Sequence, residues 1–479
     1  MAAMIESIIA NFPLIAAFLL ANYILAAVCA IREVMVSRTS QGSIAWLVSL
    51  AFVPIPAAYI YLVFGWKHFD SYTKARHKIR HNRILRAEDL KAIDRDAGKE
   101  WPVLIRAAGM PFTDGNRTKL LIDGEATFDS IFAGIAKAKT YVLVQFYIVK
   151  DDALGQRLAE VLIERAKAGV AVCLLYDDVG SGGLPHAYRQ RLRDAGIKVS
   201  AFNERHGLIR IFGPMRINYR NHRKNVVVDG KVAWAGGSNI GIEYLGLDPK
   251  VGHWRDTQIL IEGPAAQAFA LVFREDWSWA TGEELDLPFP DRLDSPGDVS
   301  ALLMATGPAD KFEACAIAFT DIIAQARERL WLVSPYFVPD TDVRTALYAA
   351  SLRGVDVRIM LPEKPDHLLV WLASMAHADA MVQHGISVYR YTRGFLHQKV
   401  LLMDSQMASV GSVNFDNRSF AINFEMTLWL PDPGVIGEVE TMLNADFLHC
   451  HPVTREDVQA RGPIWRFITQ AARLFSPVL

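Results

Sequence analysis

The first 66 residues contain two long apolar runs without a charged residue after Glu6, apart from a short charged turn between them. Each run is long enough to cross a bilayer as an α-helix. The pattern therefore predicts a transmembrane hairpin over residues 1–66, with helices at about 8–31 and 40–65. Pro54 and Pro56 in the second run predict a kink there.

A cleaved signal peptide is the alternative interpretation of the first run. It would carry a basic residue ahead of the run and a small-residue cleavage site behind it. Here Glu6 comes first and a second apolar run follows at once, which favours two retained helices. Residues 67–86 then contain seven Lys or Arg residues and one Asp. This positive charge predicts that the body of the chain lies in the cytoplasm. It also predicts that residues 67–100 form a basic juxtamembrane linker that contacts anionic head groups.

Beyond residue 100 the pattern changes to that of an α/β protein. Strand-like YVLVQFYIV is followed by helical GQRLAEVLIERAKAG and strand-like VAVCLLYDD. The same order returns as RLWLVSPYFV, VRTALYAASLRG and VDVRIMLPE. The repeat predicts two tandem α/β/α halves at 101–287 and 301–479, each with a mixed, largely parallel sheet and outer helices. A Pro/Asp-rich linker is expected at 288–300.

Each predicted half contains the same group of polar residues. The letters HRKNVVVD begin at His222 and HQKVLLMD begin at His397, and a Gly-rich turn and an Asn follow each. In both copies Lys comes two residues after His, Asp seven after and Asn seventeen after. The members are His222, Lys224, Asp229 and Asn239 in the first copy, and His397, Lys399, Asp404 and Asn414 in the second.

This spacing suits the transfer of a phosphate diester. Residues i and i+2 of a strand face the same side, so each imidazole and ammonium converge on one point. A nucleophile beside fixed positive charge stabilises phosphoryl oxygens as they gain charge. The alternative, core histidines and solvated lysines, does not explain two copies at matching places of a repeat. The two half-sites are therefore predicted to share one active site.

Composition narrows the function further. The net charge is -1, so no global basic field indicates nucleic acid as a partner. The four cysteines are scattered without metal-ligand spacing and are interpreted as reduced thiols. Carboxylates do not cluster either, so the sequence predicts no metal and no cofactor.

The paired motif resembles that of the phospholipase D superfamily, and nearly the whole chain resembles bacterial cardiolipin synthases. The matching stretches are RTSQGSIAW from Arg38, NYRNHRK from Asn218, SPYFVPD from Ser334, GFLHQK from Gly394 and NFDNRS from Asn414. The resemblance implies metal-free chemistry through a phosphohistidine. It makes His222 the nucleophile and His397 the general acid and then base, a choice that the symmetry of the motifs leaves open. Lys224, Lys399, Asn239 and Asn414 would hold the phosphoryl oxygens.

Two acids downstream of the motifs are candidates for orienting the histidines. Asp256 and Glu425 each open an apolar strand shortly after the Asn. A histidine nucleophile needs its second ring nitrogen fixed, commonly by a carboxylate. By analogy with simple superfamily members, Asp256 is assigned to His222 and Glu425 to His397. The alternative for both is a solvated carboxylate at a strand end. Asp229 and Asp404, the third members of the motifs, are expected to brace the turn after each strand.

The resemblance implies transfer of a phosphatidyl group from one phosphatidylglycerol to another, with release of glycerol. Membrane phospholipids are the expected partners, the bacterial inner membrane is the expected location, and a homo-oligomer is compatible with the sequence. A phospholipase D that hydrolyses lipid and a membrane-tethered nuclease are the alternatives. One segment, 205–216, interleaves bulky apolar residues with arginines. It predicts either a buried extra strand or a loop that enters the bilayer interface.

Overall fold

The computed structural model describes residues 2–36, 40–65, 72–76, 100–203, 218–249, 251–288, 294–310 and 312–479. They form an N-terminal helical unit and a larger body. The segment 205–216, predicted to be either a buried strand or an interfacial loop, lies outside the described residues, as does most of the basic linker at 67–100.

The N-terminal unit contains three helices, α1 (Ala2–Val36), α2 (Ser40–Phe52) and α3 (Pro54–Phe64). Within α1, Pro13–Val36 is long and apolar enough to cross a membrane. The second predicted span is broken between α2 and α3. Pro54 has no amide hydrogen to continue the ladder, so it begins a new helix instead. Where Pro54 and Pro56 predicted a kink, the structure has a break between two helices, and neither piece alone reaches spanning length.

Helix α1 packs against both α2 and α3. Glu33 near the end of α1 accepts hydrogen bonds from Ser43 Oγ at 2.7 Å and from the Tyr61 hydroxyl at 2.9 Å. Small side chains, among them Ala26 and Ala58, form the apolar core of the unit. Small residues let helix backbones approach closely, so this packing suits a helix pair in a bilayer.

Besides a short helical segment at residues 72–76, the body contains twelve further α-helices within the described residues. They are α4 (Pro102–Ala108), α5 (Asp123–Ala136), α6 (Ala153–Lys167), α7 (His186–Asp194), α8 (Ala265–Thr281), α9 (Ala314–Gln325), α10 (Thr341–Leu352), α11 (Leu368–Gln383), α12 (Asn417–Ala421), α13 (Pro433–Phe447), α14 (Arg455–Ala460) and α15 (Pro463–Arg473).

The strands of the first half are β1 (Thr113–Ile122), β2 (Tyr141–Phe146), β3 (Ala171–Asp177), β4 (Lys198–Phe202), β5 (Asn225–Val228), β6 (Val232–Gly236), β7 (Trp254–Arg255) and β8 (Thr257–Glu262). Those of the second half are β9 (Val299–Thr306), β10 (Arg329–Val333), β11 (Phe337–Val338), β12 (Asp356–Pro362), β13 (Ser387–Tyr391), β14 (Phe395–Leu396), β15 (Val400–Met403), β16 (Met407–Gly411), β17 (Phe415–Asp416), β18 (Glu425–Leu430) and β19 (Cys450–Val453).

The strand order repeats between the halves. The first half has the order β1-β8-β6-β5-β2-β3-β4, and the second has β9-β18-β16-β15-β10-β12-β13 with β19 added at the edge. Within these two orders β2-β3-β4 and β10-β12-β13 run parallel, since helices connect them, and the other neighbours are antiparallel. The short pairs β7–β14 and β11–β17, outside these orders, are also parallel. The sheets are mixed as predicted, but the expectation that they are largely parallel is wrong.

The two halves join through their sheets. Strands β1 and β9 pair antiparallel, with Thr113 opposite Ala301 and Asn116 opposite Val299, so fifteen strands form one continuous sheet. The Asn116 side chain bridges an irregularity in this pairing by donating to the carbonyls of Thr113 and Val299. Helices α8 and α9, one from each half, contribute to one apolar core against this sheet. The duplicated halves are thus one folded body.

Candidate active site

The motif histidines lie on extended backbone next to the central strands. His222 precedes β5, and His397 lies between β14 and β15. The backbone N–H of His222 donates to Phe424 O at 2.9 Å, and that of His397 donates to Arg255 O at 2.8 Å. Each histidine is therefore held by a segment of the opposite half.

The same cross-connection decides which acid orients which histidine. Asp256 Oδ2 lies 2.8 Å from Nδ1 of His397, and both carboxylate oxygens of Glu425 lie 3.0 Å from Nδ1 of His222. The assignment of Asp256 to His222 and of Glu425 to His397 is therefore wrong. Arg255 and Phe424 immediately precede the acids, so the backbone bonds between the halves deliver each acid to the other half's histidine.

Burial and nearby ammonium groups favour the neutral imidazole at both positions. Burial lowers the pKa of His222 to about 4, and the charges of Lys224 and Lys399 act in the same direction against Glu425. Burial also lowers the pKa of His397 to about 4, with Asp256 opposing the two lysines. When Nδ1–H donates to the carboxylate, Nε2 carries the lone pair. Both rings are then set up as nucleophiles or bases in the unliganded site.

The motif lysines are buried and mirror each other. Lys224 Nζ donates to the carbonyl of His222 at 2.7 Å, and Lys399 Nζ donates to that of His397 at 2.5 Å. Burial lowers the pKa of Lys399 to about 8 and that of Lys224 well below its usual value. Each imidazole bonds a carboxylate of the other half, and both ammonium charges act on both imidazoles, so the two half-sites form one site.

The two motif asparagines have different surroundings. Asn239 Oδ1 accepts from the backbone of Ile148 at 3.1 Å, and its Nδ2 donates to the Tyr244 hydroxyl at 2.5 Å. Asn414 Oδ1 is buried and has no hydrogen-bond partner within the described residues. Asn239 therefore positions Tyr244, and the phosphate contacts expected for Asn239 and Asn414 stay predictions.

The motif aspartates lie at the far ends of their strands. Asp229 follows β5 and accepts from the backbone N–H groups of residues 139–141, which lead into β2. Asp404 follows β15 and accepts in the same way from residues 327–329 ahead of β10. Both have left-handed φ values, 52° and 49°. The bracing role expected from the sequence is confirmed, and these carboxylates are remote from the chemistry.

A Gly/Ser difference between the motifs matches the difference between the acids. Fifteen residues after the histidine stand Gly237 in the first half and Ser412 in the second. The Ser412 hydroxyl donates to Glu425 Oε2 at 2.5 Å. A Cβ at Gly237 would lie 2.1 Å from Asp256 Oδ1, so a side chain there would displace the carboxylate. Glu425 thus accepts a hydrogen bond from Ser412, whereas Gly237 at the equivalent position leaves space for the Asp256 carboxylate.

Buried ion pairs fix the segments that carry the acids. Arg223 bonds Asp276 and also donates to the carbonyl of Glu425 at 3.0 Å. Arg255 pairs with Asp446 through two nitrogens, at 2.7 and 2.8 Å. Removing one partner of such a pair leaves an uncompensated charge, so these clamps hold the two halves in a single register.

Aromatic rings, which the sequence analysis did not assign to the site, surround the histidines. The ring centroid of Tyr147 lies 5.1 Å from that of His222. Those of Trp254 and Tyr244 lie 5.1 and 5.7 Å from that of His397. Only the parallel between Tyr147 and Tyr336 in the two repeats gave a signal for any of them. The rings form a partly apolar wall beside both histidines.

Two arginines that the sequence did not single out interact with Tyr147. Arg220 hydrogen-bonds Tyr147, and both Arg220 and Arg418 favour its ionised form electrostatically, although burial dominates and raises the pKa of Tyr147. Burial and the neighbouring Arg220 lower the pKa of Arg418. Two guanidinium groups held close together attract an anion to this side of His222.

The fold and the site define a duplicated, phospholipase D-like enzyme of phosphoryl transfer. Residues 131–277 and 319–447 match the family described as "Cardiolipin synthase, PLD-like domain". The chain is 44% identical over 466 residues to Cardiolipin synthase A of Pseudomonas aeruginosa (strain LESB58), covering 95% of this chain and 94% of that one. It is 44% identical over 476 residues to Cardiolipin synthase A of Pseudomonas fluorescens (strain SBW25), covering 97% and 98%. The chain therefore belongs to the cardiolipin synthase family.

A solved structure shares the fold. The crystal structure of phosphatidylserine synthase from Haemophilus influenzae Rd KW20 matches with a TM-score of 0.58 at 15% identity, covering 79% of this chain and 100% of that one. At this identity the likeness concerns the fold alone.

Proposed function

We propose that this chain is a phosphatidyltransferase that makes cardiolipin from two molecules of phosphatidylglycerol. The observation that carries the proposal is the pair of buried histidines, each with Nδ1 on a carboxylate from the other half. Family membership and the identity to relatives named cardiolipin synthase support the same function.

In the first step, Nε2 of His222 attacks the phosphorus of the donor lipid. The P–N bond forms, the bond from phosphorus to the glycerol oxygen breaks, and His397 gives its proton to the departing alkoxide. The bound phosphodiester anion raises the pKa of His397 from its low value, so the acid is protonated in the complex. Lys224 and Lys399 stabilise the phosphoryl oxygens as their charge grows, and Asn239 and Asn414 are proposed to contact them.

In the second step, neutral His397 takes the proton from a hydroxyl of the second phosphatidylglycerol. The oxygen of that hydroxyl attacks phosphorus, the P–N bond breaks and His222 is regenerated. The orientation of Glu425, with both oxygens 3.0 Å from Nδ1, supports His222 as the nucleophile because it stabilises the positive charge that develops on that ring.

The second phosphatidylglycerol brings a second phosphate to the site. We assign that phosphate to Arg220 and Arg418, which lie beside Tyr147 and therefore next to His222. Arginine suits the role because its planar fork bonds phosphate oxygens through two N–H groups. A lipid with a phosphate would thereby be favoured over water as the acceptor.

We also propose that the chain is a multi-pass protein of the bacterial inner membrane with its body on the cytoplasmic side. The apolar segment Pro13–Val36, its packing on α2 and α3, and the basic sequence after the hairpin support this orientation. Self-association into a homo-oligomer is compatible with it.

The experiment is incubation of the purified full-length chain with labelled phosphatidylglycerol. Cardiolipin and free glycerol are expected in equal amounts. Phosphatidic acid as the main product would instead establish a lipid hydrolase. His222→Ala and His397→Ala are each expected to abolish turnover, and substantial cardiolipin from either variant would contradict the single shared site.

A further inference from the structure

Helix α15 turns its apolar face away from the body. Ile464 and Phe467 are each 75% exposed, and Leu474, just after the helix, is 81% exposed. The helix packs inward through Thr469 and Ala472, which are small and buried. An amphipathic helix of a soluble protein normally does the reverse and buries its large apolar side chains.

The exposed face continues onto α11. Trp371 of α11 contacts Trp465 of α15, with ring centroids 5.8 Å apart. One helical turn before Trp371, Leu368 is 63% exposed, and Leu369 beside it is 44% exposed. The exposed apolar side chains of the two helices form one apolar patch, which consists of Leu368, Leu369, Ile464, Phe467, Ile468 and Leu474.

The apolar patch begins next to the active site. Asp366 accepts a hydrogen bond from Tyr336, and its charge is among those that favour the ammonium form of Lys399. Leu368 follows Asp366 by two residues. The Leu368 end of the apolar patch therefore lies two residues from a carboxylate that acts on the active-site lysine.

The charge of this region indicates what covers it. Residues 462–479 contain Arg466 and Arg473 and no acidic residue. Exposed apolar side chains with arginines on the same helix fit an interface of apolar chains beneath anionic head groups. The proposed substrate lies in such an interface.

We propose that α15 and the first turn of α11 form a second, interfacial contact with the bilayer, separate from the N-terminal helices. The apolar patch enters the acyl region of the leaflet, Arg466 and Arg473 lie at the phosphates, and the opening of the site faces the lipid. This inference rests on the proposed function only in taking a membrane lipid as the substrate.

The contact between the apolar patch and the bilayer can be measured by a readout that does not depend on the rate of turnover. Full-length protein with Phe467→Cys is labelled with an environment-sensitive fluorophore, in a Cys450→Ala background because the other three native cysteines are buried. It is reconstituted in vesicles of phosphatidylglycerol and phosphatidylcholine that carry a quencher on the acyl chain. The matched control is Leu352→Cys, since Leu352 is 87% exposed and lies shortly before the start of β12, at the end of the strands away from His397.

Strong quenching by lipid is expected at position 467 and little at position 352. Quenching of position 467 by aqueous iodide but not by lipid would overturn the proposal. Proximity between labels on two copies, independent of lipid, would also overturn it, because it would make the apolar patch an interface between protomers.

Turnover gives the second measurement. Replacing Ile464 and Phe467 with Ser is expected to lower cardiolipin synthesis on vesicles about tenfold and to leave synthesis from a soluble short-chain phosphatidylglycerol unchanged. Leu352→Ser should alter neither rate. Equal losses on both substrates would refute the inference. Absence of cardiolipin from the unmodified chain would refute the proposed function instead, and the quenching experiment would still test the contact.

Discussion

The crossed pairing of acids and histidines predicts two different changes in the pH dependence of turnover. Asp256→Asn and Glu425→Gln keep the shape of each side chain but remove the charge that faces the imidazole. In the proposed mechanism His397 must be protonated in the lipid complex and His222 must be neutral. Each substitution therefore acts on a different limb of the profile.

The size of the effect follows from the geometry. Hydrogen bonds of 2.8 to 3.0 Å link the two carboxylates to the rings. A hydrogen bond to a charged group contributes about 1.5–3 kcal/mol, which corresponds to a change of about one to two pH units in a titration. The rate at the optimum should also fall about 10²–10⁴-fold, since the ring loses its fixed tautomer.

Both substitutions change the pKa of the histidine in the same direction, but the consequence for the pH profile of turnover differs. Each carboxylate raises the pKa of its histidine, so its removal lowers that pKa. In Asp256→Asn, His397 loses its proton at lower pH, so the alkaline limb of the kcat profile shifts to lower pH. In Glu425→Gln, His222 stays neutral down to a lower pH, so the acidic limb of the kcat profile shifts to lower pH.

The assay is kcat against pH with saturating phosphatidylglycerol in mixed micelles, because kcat reports the lipid-bound enzyme. The two imidazoles titrate as a coupled pair, so each limb is compared with the unmodified protein rather than assigned an absolute value. Glu440→Gln, at a surface ion pair with Arg329, is the matched control and should leave both limbs in place. Movement of the alkaline limb in Glu425→Gln, or of the acidic limb in Asp256→Asn, would reverse the roles of the histidines and refute the reasoning.

Four further predictions follow from the site. Activity should survive EDTA, because imidazoles and ammonium groups supply the charges; a loss restored by a divalent ion in micelles would contradict this. Gly237→Ala should lower turnover about as much as Asp256→Asn, since its Cβ would lie 2.1 Å from the Asp256 carboxylate; undiminished activity would show that the carboxylate has room to move. Arg418→Gln should raise KM for phosphatidylglycerol and increase phosphatidic acid relative to cardiolipin, while Arg418→Lys should retain part of the selectivity. Asp276→Ala should reduce the free energy of unfolding by about 3–5 kcal/mol, because it leaves Arg223 buried without its carboxylate; chemical denaturation measures this.

Local patterns in the sequence were enough to predict much of the structure around the motifs. The His-Lys spacing and the apolar strand after it lie within a few residues of each other, and strand geometry determines them. Asp229 and Asp404 directly follow these strands, although the segments that they brace lie 90 and 75 residues away. The proline break near Val53 also follows from local chemistry.

The pairing of the acids could not be predicted in this way. Asp256 and His397 are 141 residues apart, and Glu425 and His222 are 203 apart. Their contact depends on how the halves dock, through the β1–β9 pairing and the backbone bonds of His222 and His397 to the opposite half. A repeat in the sequence is equally compatible with acids that serve their own half.

The orientation of α15 is a second feature that only the tertiary structure decided. Its periodicity defines an apolar face but not the direction of that face, which depends on the partner surface. Here Ala472 packs in a small apolar cluster with Ala373 of α11, and Thr469 is also buried, so the larger apolar side chains remain outside. Periodicity along one helix is a local property, whereas the side that becomes buried depends on packing between elements distant in the chain.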